Sequence, residues 1–129
     1  ARDVALLKLE EIPEGFEINP LPIRTEWPKV GEDVYAIGVP LDYRILQDTV
    51  TKGIVSSHRH EMKFLGTRQN FIQADVEIHG GSSGGPLLDE HGNIVGLTVG
   101  SVGIEDIGIG LNYFIPIGEA LEKLNITLN

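Results

Sequence analysis

Two adjacent serines lie between pairs of glycines in the segment 80–88, which reads GGSSGGPLL. Glycine permits positive φ angles and the close approach of another backbone. Two backbone N–H groups can therefore point toward one place beside a serine hydroxyl. Acyl transfer requires such a site, because the donors stabilise the oxyanion that develops beside the nucleophile. A Gly/Ser turn in a β-hairpin is the structural alternative.

The full run from Gly80 to Leu88 is more specific than a turn, because a proline and two leucines follow the glycines. It resembles the Gly-x-Ser-Gly-Gly-Pro signature of trypsin-like and chymotrypsin-like serine proteases. The resemblance implies that Ser83 is the nucleophile. It also implies that the backbone N–H groups of Gly81 and Ser83 form the oxyanion hole.

Residues 3–10 form a short, mostly apolar run that predicts a strand. Taken alone, Asp3 would be a solvated carboxylate at the end of that strand. The pattern Asp-x-Ala-Leu-Leu-Lys-Leu also resembles the segment that carries the triad aspartate in the same family, where the aspartate precedes the serine. The resemblance implies that Asp3 orients the triad histidine and stabilises its imidazolium form.

Several other segments are similar to the HtrA-type bacterial branch of this family. They are residues 30–38, 49–56, 73–75, 92–97 and 113–116. This resemblance implies polypeptide substrates, a location outside the cytoplasm and a homo-oligomer formed through a region N-terminal to this chain. Members of the branch often continue into a PDZ domain.

The triad histidine has no obvious candidate, since the family's base lies upstream of the aspartate and only Ala1 and Arg2 precede Asp3. We therefore expect the chain to be the C-terminal half of a protease, with little or no peptidase activity by itself. His79 is an alternative base four residues before Ser83, although the family's loop turns that position away. The remaining histidines are His58, His60 and His91.

His58 and His60 have two readings. They could occupy a solvated hairpin tip, which we favour, or form a metal-binding pair. His91 lies in a turn and should be exposed. The sequence contains no His-x-x-x-His pattern, so we expect neither a metal nor another cofactor.

Substrate specificity is less well defined by the sequence. Glu77 lies six residues before Ser83, where trypsin-type enzymes hold the acid of a pocket that selects Lys or Arg. The favoured alternative is that Glu77 faces solvent and the pocket is small and apolar. His79 could line the cleft. The segment of Thr98, Val99 and Gly100 is predicted to pair with the substrate backbone.

Composition limits the class of protein. The chain has 129 residues, of which 41% are hydrophobic and 22% charged, as in one folded domain. A net charge of −9 argues against nucleic acid as a partner. No apolar run reaches the length of about 18 residues that a membrane helix needs. The chain has no cysteine and therefore no disulfide. Secreted animal proteases of the family it resembles usually carry several disulfides, so this absence favours the bacterial branch of that family.

The element pattern must place these residues. Prolines at 13, 20, 22 and 28 predict an extended crossing segment that includes Trp27. Short β runs follow at 33–38, 47–56, 62–65, 70–74, 87–88, 94–99 and 111–115, with a bulge or corner at Gly53. Ala120, Leu121 and Leu124 predict a helix over 119–124.

Strands at this spacing without intervening helices predict an antiparallel barrel or sandwich. The resemblance to trypsin-like proteases implies the barrel: an all-β, antiparallel six-stranded barrel, the C-terminal half of the chymotrypsin-like double-barrel fold, with a short C-terminal helix. Residues 1–22 would hold the last strand of the N-terminal barrel and the linker, and residues 23–129 the C-terminal barrel. Ser82 replaces the aspartate that digestive proteases pair with a new N-terminus, so we expect no activation through that ion pair.

The leading functional prediction is a serine endopeptidase of HtrA-like type. The alternative is a peptide-binding barrel that never had a base. A viral-type protease of similar shape fits less well, because the HtrA-like matches lie on several separate strands.

Overall fold

The computed structural model describes residues 2–38, 49–99 and 111–129 of the chain. Its elements in chain order are β1 (Asp33–Gly38), β2 (Thr49–Phe64), β3 (Thr67–Ala74), β4 (Pro86–Asp89), β5 (Ile94–Thr98), β6 (Asn112–Pro116) and α1 (Ile117–Lys123).

The strands close into one antiparallel barrel in the order β1-β2-β3-β6-β5-β4. Closure rests on the pairing of β1 with β4, where Tyr35 lies opposite Leu88. β4 begins directly after residues 79–85, which we call the nucleophile loop because they contain the predicted nucleophile Ser83. This pairing therefore fixes one end of that loop to β1. The barrel and its C-terminal helix confirm the predicted fold class.

The strands bury alternate side chains because successive residues point to opposite faces. One core cluster fills the barrel around Val34, Val55, Leu87 and Phe114. A second lies beneath α1 and includes Phe71, Tyr113 and Ile117. The nucleophile loop therefore starts and ends on a packed scaffold.

Residues 3–10, for which the sequence predicts a strand, lie before the barrel. They belong to no strand of the described structure, in which they have no hydrogen-bonded neighbour strand. Their place in an N-terminal barrel stays a prediction. Further along, Ile23 forms an isolated parallel bridge with Ile94. The boundary at 22/23 remains a prediction.

A charge network attaches the crossing segment to the barrel. The Arg24 guanidinium lies 2.6 Å from Glu32 Oε2 and 3.2 Å from Asp89 Oδ2. Hydrogen bonding to Arg24 lowers the pKa of Glu32. Burial by itself raises the pKa of Asp89, but hydrogen bonds from Asn93, Arg24 and the His91 backbone bring that pKa below its ordinary value. The carboxyl groups of Glu32 and Asp89 are therefore charged at neutral pH, as is the Arg24 guanidinium.

The β2–β3 hairpin also differs from the sequence prediction. The runs predicted at 47–56 and 62–65 are one strand, and the pairing with β3 shifts register near Ser56 and between Arg59 and Met62. Gly53 keeps regular pairing with Val34, so the predicted bulge lies elsewhere. Glu61 takes a φ of 56° within the second irregularity. The β2 residues that have no opposite residue on β3 are accommodated at this irregularity, and the strand continues past it.

Candidate active site

The nucleophile loop consists of two consecutive β-turns that share Ser82. The Ser82 N–H donates to the His79 carbonyl at 2.9 Å, and the Gly85 N–H donates to the Ser82 carbonyl at 3.0 Å. The third residues of these turns are Gly81, with φ 98°, and Gly84, with φ 86°. Positive φ at that position is the requirement of a type II turn, which explains the glycine spacing.

Ser82 fixes the loop to the end of β1. Its side chain is buried and packs against Gly38. A Cβ added to Gly38 would lie 2.4 Å from Ser82 Oγ and 2.9 Å from Ser82 Cβ. Gly38 therefore leaves the space that Ser82 occupies. The serine hydroxyl also accepts a long hydrogen bond, 3.4 Å, from the His79 N–H.

Ser83 lies next to this buried residue with its own side chain exposed. Its Oγ donates to the Val99 carbonyl at 3.2 Å. Across the described ranges, neither the Gly81 N–H nor the Ser83 N–H has an acceptor. The two N–H groups predicted to form the oxyanion hole thus have no internal acceptor within the described part of the chain.

Asp3 and Ser83 line the same cleft, which has a volume of about 350 Å³. Val4, Ala5, Gly84, Leu97 and Thr98 complete its described walls. The structure thus brings together two residues that lie far apart in the sequence. The Thr98 hydroxyl is buried and has no hydrogen-bond partner among the described residues.

Among the described residues, no hydrogen bond joins a histidine to Ser83 Oγ, which donates to the Val99 carbonyl. His58 and His60 pack on Trp27, with ring centroids 5.1 Å and 5.4 Å from the indole. His58 Nε2 also lies 2.7 Å from the Pro28 carbonyl oxygen.

These two histidines lie within strand β2 rather than at a hairpin tip, because that strand continues past them. Among residues 2–38, 49–99 and 111–129, no group of three or more potential metal ligands is close enough to hold an ion. His91 is exposed in its turn, and its Nε2 lies 3.4 Å from Oε1 of Glu90.

Glu77 and His79, which precede Ser82 in the chain, are both exposed. The Glu77 side chain is 73% exposed, and its Oε1 lies 3.7 Å from His79 Nε2. Neither residue is among those that line the cleft with Ser83. This placement favours the alternative in which Glu77 faces solvent over the one in which it forms a pocket floor.

Thr98 and Val99 use their backbone groups within the protein. The Thr98 carbonyl accepts from the Gly84 N–H at 2.8 Å, and the Thr98 N–H donates to Gly85 at 2.9 Å. The Val99 N–H donates to the Tyr113 carbonyl at 3.2 Å. A substrate backbone could use only the remaining lone pairs of their carbonyl oxygens. Gly100, the third residue predicted here, lies outside the described residues.

Two contacts near the site were absent from the sequence prediction. One is the packing of Ser82 against Gly38, and the other is the ion pair that joins Arg2 to Glu119 at 2.8 Å. The glycine of β1 was a possible signal for the first contact. The second joins residues 117 positions apart, which no local pattern reveals.

The comparisons with known proteins agree with this geometry. Residues 1–97 match the family described as "Trypsin-like peptidase domain". The chain belongs to this trypsin-like peptidase family. Similar proteins include the chloroplastic Protease Do-like 5 of Arabidopsis thaliana, 37% identical over 89% of this chain and 36% of that protein. A probable periplasmic serine endoprotease, DegP-like, of Pseudomonas putida is 39% identical over 95% of this chain and 24% of that protein.

Among solved structures, the HtrA-type protease AlgW with a decapeptide aligns with a TM-score of 0.65 and 31% identity, over 81% of this chain and 32% of that one. These matches confirm the resemblance to the HtrA branch of the trypsin-like peptidases. The chain spans between 24% and 36% of the length of the curated relatives it matches. In its described part, no helix is long and apolar enough to cross a membrane.

Proposed function

We propose that this chain supplies the nucleophile and the acid residue of a serine endopeptidase that acts on polypeptides outside the cytoplasm. The cleft that joins Asp3 to Ser83 carries the proposal. It is supported by the N–H groups of Gly81 and Ser83, which have no acceptor among the described residues, and by membership of a trypsin-like peptidase family. The names of the periplasmic relatives support the location.

In the proposed reaction, Ser83 Oγ attacks the carbonyl carbon of a peptide bond while a histidine accepts the hydroxyl proton. The C=O π bond breaks, and the resulting oxyanion binds the N–H groups of Gly81 and Ser83. The C–N bond then breaks, and the histidine returns the proton to the amine that leaves. Water, deprotonated by the same histidine, releases the acid and restores Ser83.

The base in this proposal is a histidine outside these 129 residues. Each of the four histidines present contacts another group in the described structure, namely Trp27, the Pro28 carbonyl, Glu77 or Glu90. Asp3 would hold that imidazole in the tautomer that accepts the serine proton. The hydrogen bond from Ser83 Oγ to Val99 must be exchanged for one to the imidazole before attack. A homo-oligomer formed through a preceding region belongs to the same proposal.

Primary specificity follows from the position of Glu77. Because its side chain is 73% exposed and paired with His79, it offers no buried charge to a basic substrate side chain. We therefore propose a small apolar residue before the cleaved bond. Peptides that differ only at that residue test this, and a strong preference for Lys or Arg would contradict it.

The test of the main proposal is casein hydrolysis by the longest natural chain that contains these residues. Ser83→Ala should lower kcat by about 10⁴-fold or more, because the covalent step is lost. Ser57→Ala, on β2, is the matched control and should retain activity. An active Ser83→Ala variant would refute the proposal.

A peptide-binding barrel without catalysis is the second candidate. It is favoured by one observation, the engagement of the Ser83 hydroxyl by the Val99 carbonyl instead of an imidazole. Equal inactivity of the parent and of Ser83→Ala, with retained peptide binding, would support this function.

A further inference from the structure

Asp3 makes few contacts of its own. The residues on either side of it in the sequence hold this part of the chain against the barrel. Arg2 and Val4 face the barrel, whereas residues 5–21 are exposed. Val4 packs against the core cluster under α1. The position of Asp3 in the cleft therefore depends on how Arg2 is bound.

Arg2 makes three polar or cation–π contacts with two different elements. Its Nη2 donates to Glu119 Oε1 on α1 at 2.8 Å, and its Nη1 donates to the Asn70 carbonyl on β3 at 3.1 Å. The guanidinium carbon also lies 5.6 Å from the centroid of the Phe71 ring. The side chain is only 11% exposed, so these contacts are little screened by water.

Glu119 is in turn held in place to receive Arg2. The Asn70 side-chain amide donates to the same Oε1 at 3.1 Å. The other carboxylate oxygen, Oε2, is buried and has no hydrogen-bond partner among the described residues. A carboxylate in this setting depends on its cation, because loss of Arg2 would leave a poorly hydrated charge.

We propose that Arg2 is a positioning residue, which fixes Asp3 in the cleft of Ser83 by binding Glu119 of the C-terminal helix. This inference rests on the proposed function, since it needs Asp3 as the triad acid. A planar guanidinium suits the task because it bonds the carboxylate and the carbonyl in a fixed geometry. Movement of Arg2 would displace the adjacent carboxylate from the histidine that it orients.

The experiment measures kcat, KM and the pH profile of peptide hydrolysis by the longest natural chain that contains these residues. Arg2→Ala should lower kcat by about tenfold with little change in KM, because a small misplacement of an orienting group slows the chemical step. The acid limb of kcat/KM should move to lower pH, since a displaced Asp3 no longer raises the pKa of the imidazole.

A double-mutant comparison separates this role from a general loss of structure. On an Asp3→Asn background, Arg2→Ala should have no further effect on kcat, because its effect passes through Asp3. Equal losses on both backgrounds would overturn the inference. Full activity of Asp3→Asn itself would instead refute the proposed triad, which distinguishes the two failures.

Two further variants keep the test valid if Arg2→Ala fails to fold. Glu119→Gln keeps the side-chain volume and should reproduce the shift in the acid limb at reduced size. Arg2→Lys keeps a cation beside Glu119 and a donor for the Asn70 carbonyl, so it should lower kcat less than Glu119→Gln does. The matched control is Glu122→Gln, on the same helix and exposed, which should leave both readouts unchanged. A greater loss in Arg2→Lys than in Glu119→Gln, or an unmoved acid limb in Glu119→Gln, would overturn the inference.

Discussion

The nucleophile loop and the segment 5–21 are both irregular backbone, yet their surroundings differ completely. The loop is hydrogen-bonded to itself and to β5, and it packs against the end of β1. Within the described structure, the only backbone hydrogen bond of segment 5–21 joins the Phe16 N–H to Pro13. The difference shows that irregular backbone depends on contacts with neighbouring elements as well as on its own sequence.

The apolar side chains of segment 5–21 make the contrast sharper. Leu7 is 87% exposed, whereas Leu87 of β4 is fully buried. The other exposed large side chains of the segment are Leu6, Leu9, Ile12, Phe16, Ile18 and Leu21. We therefore expect the buried leucine of β4 to contribute to the free energy of unfolding and the exposed leucine of segment 5–21 to contribute little. Mutations in the two regions should reveal this difference.

A large effect is expected where the crossing segment joins the barrel. Asp89→Ala should lower the free energy of unfolding by about 3 kcal/mol, because it removes a buried partner of Arg24 and leaves donors of Asn93 without an acceptor. Urea unfolding followed by Trp27 fluorescence measures this change. Glu90→Ala, exposed in the same turn, is the control. A loss as small as that of the control would mean that the network does not stabilise the fold.

The next effect tests the packing of the nucleophile loop. Gly38→Ala should cost about 1–3 kcal/mol, since its Cβ would overlap the buried Ser82 side chain. It should also reduce hydrolysis by the natural chain, because Ser83 follows Ser82.

The control is Gly66→Ala, which has a φ of 78° and nothing within 4 Å of the added Cβ. It should cost about 1 kcal/mol from backbone strain, with hydrolysis unchanged. Equal effects of the two variants on hydrolysis would show that Ser82 does not set the loop.

How far the sequence predicted this site depends on the range of the interactions. The two type II turns follow from glycines within a few residues, so the loop could be recognised locally. The short β runs and turns indicated an antiparallel barrel or sandwich, and the resemblance to trypsin-like proteases decided for the barrel. The binding of Arg2 to Glu119 could not be predicted, because it depends on where the barrel places α1 relative to the first residues.

The error on β2 has a similar cause. The 16-residue β2 was divided at His58 to Glu61, where charged residues suggested a hairpin tip. Pairing with β3 and packing of His58 and His60 on Trp27 keep that stretch extended instead. The strand predicted at 3–10 has apolar residues suited to a sheet but has no paired neighbour in the described structure.

A smaller, graded effect should follow from pH. The pKa values of Glu32 and Asp89 are lowered in the folded protein, so their contribution to stability is present above the unfolded pKa values of about 4. It is lost as pH falls through the folded values. The unfolding free energy should therefore decrease below about pH 4, and Asp89→Asn should flatten this decrease. An unchanged slope in that variant would assign the acid sensitivity to other carboxylates.

The smallest effect is expected in segment 5–21. Leu7→Ser should change the unfolding free energy of this chain by less than about 0.5 kcal/mol, since the side chain makes no buried contact that the substitution could remove. Leu87→Ala, which removes buried methyl groups, should cost about 2–5 kcal/mol in the same measurement. A comparable loss in Leu7→Ser would mean that the segment packs on the barrel in solution. Asp3 would then be held along the whole segment, and the dependence of its position on Arg2 would be correspondingly weaker.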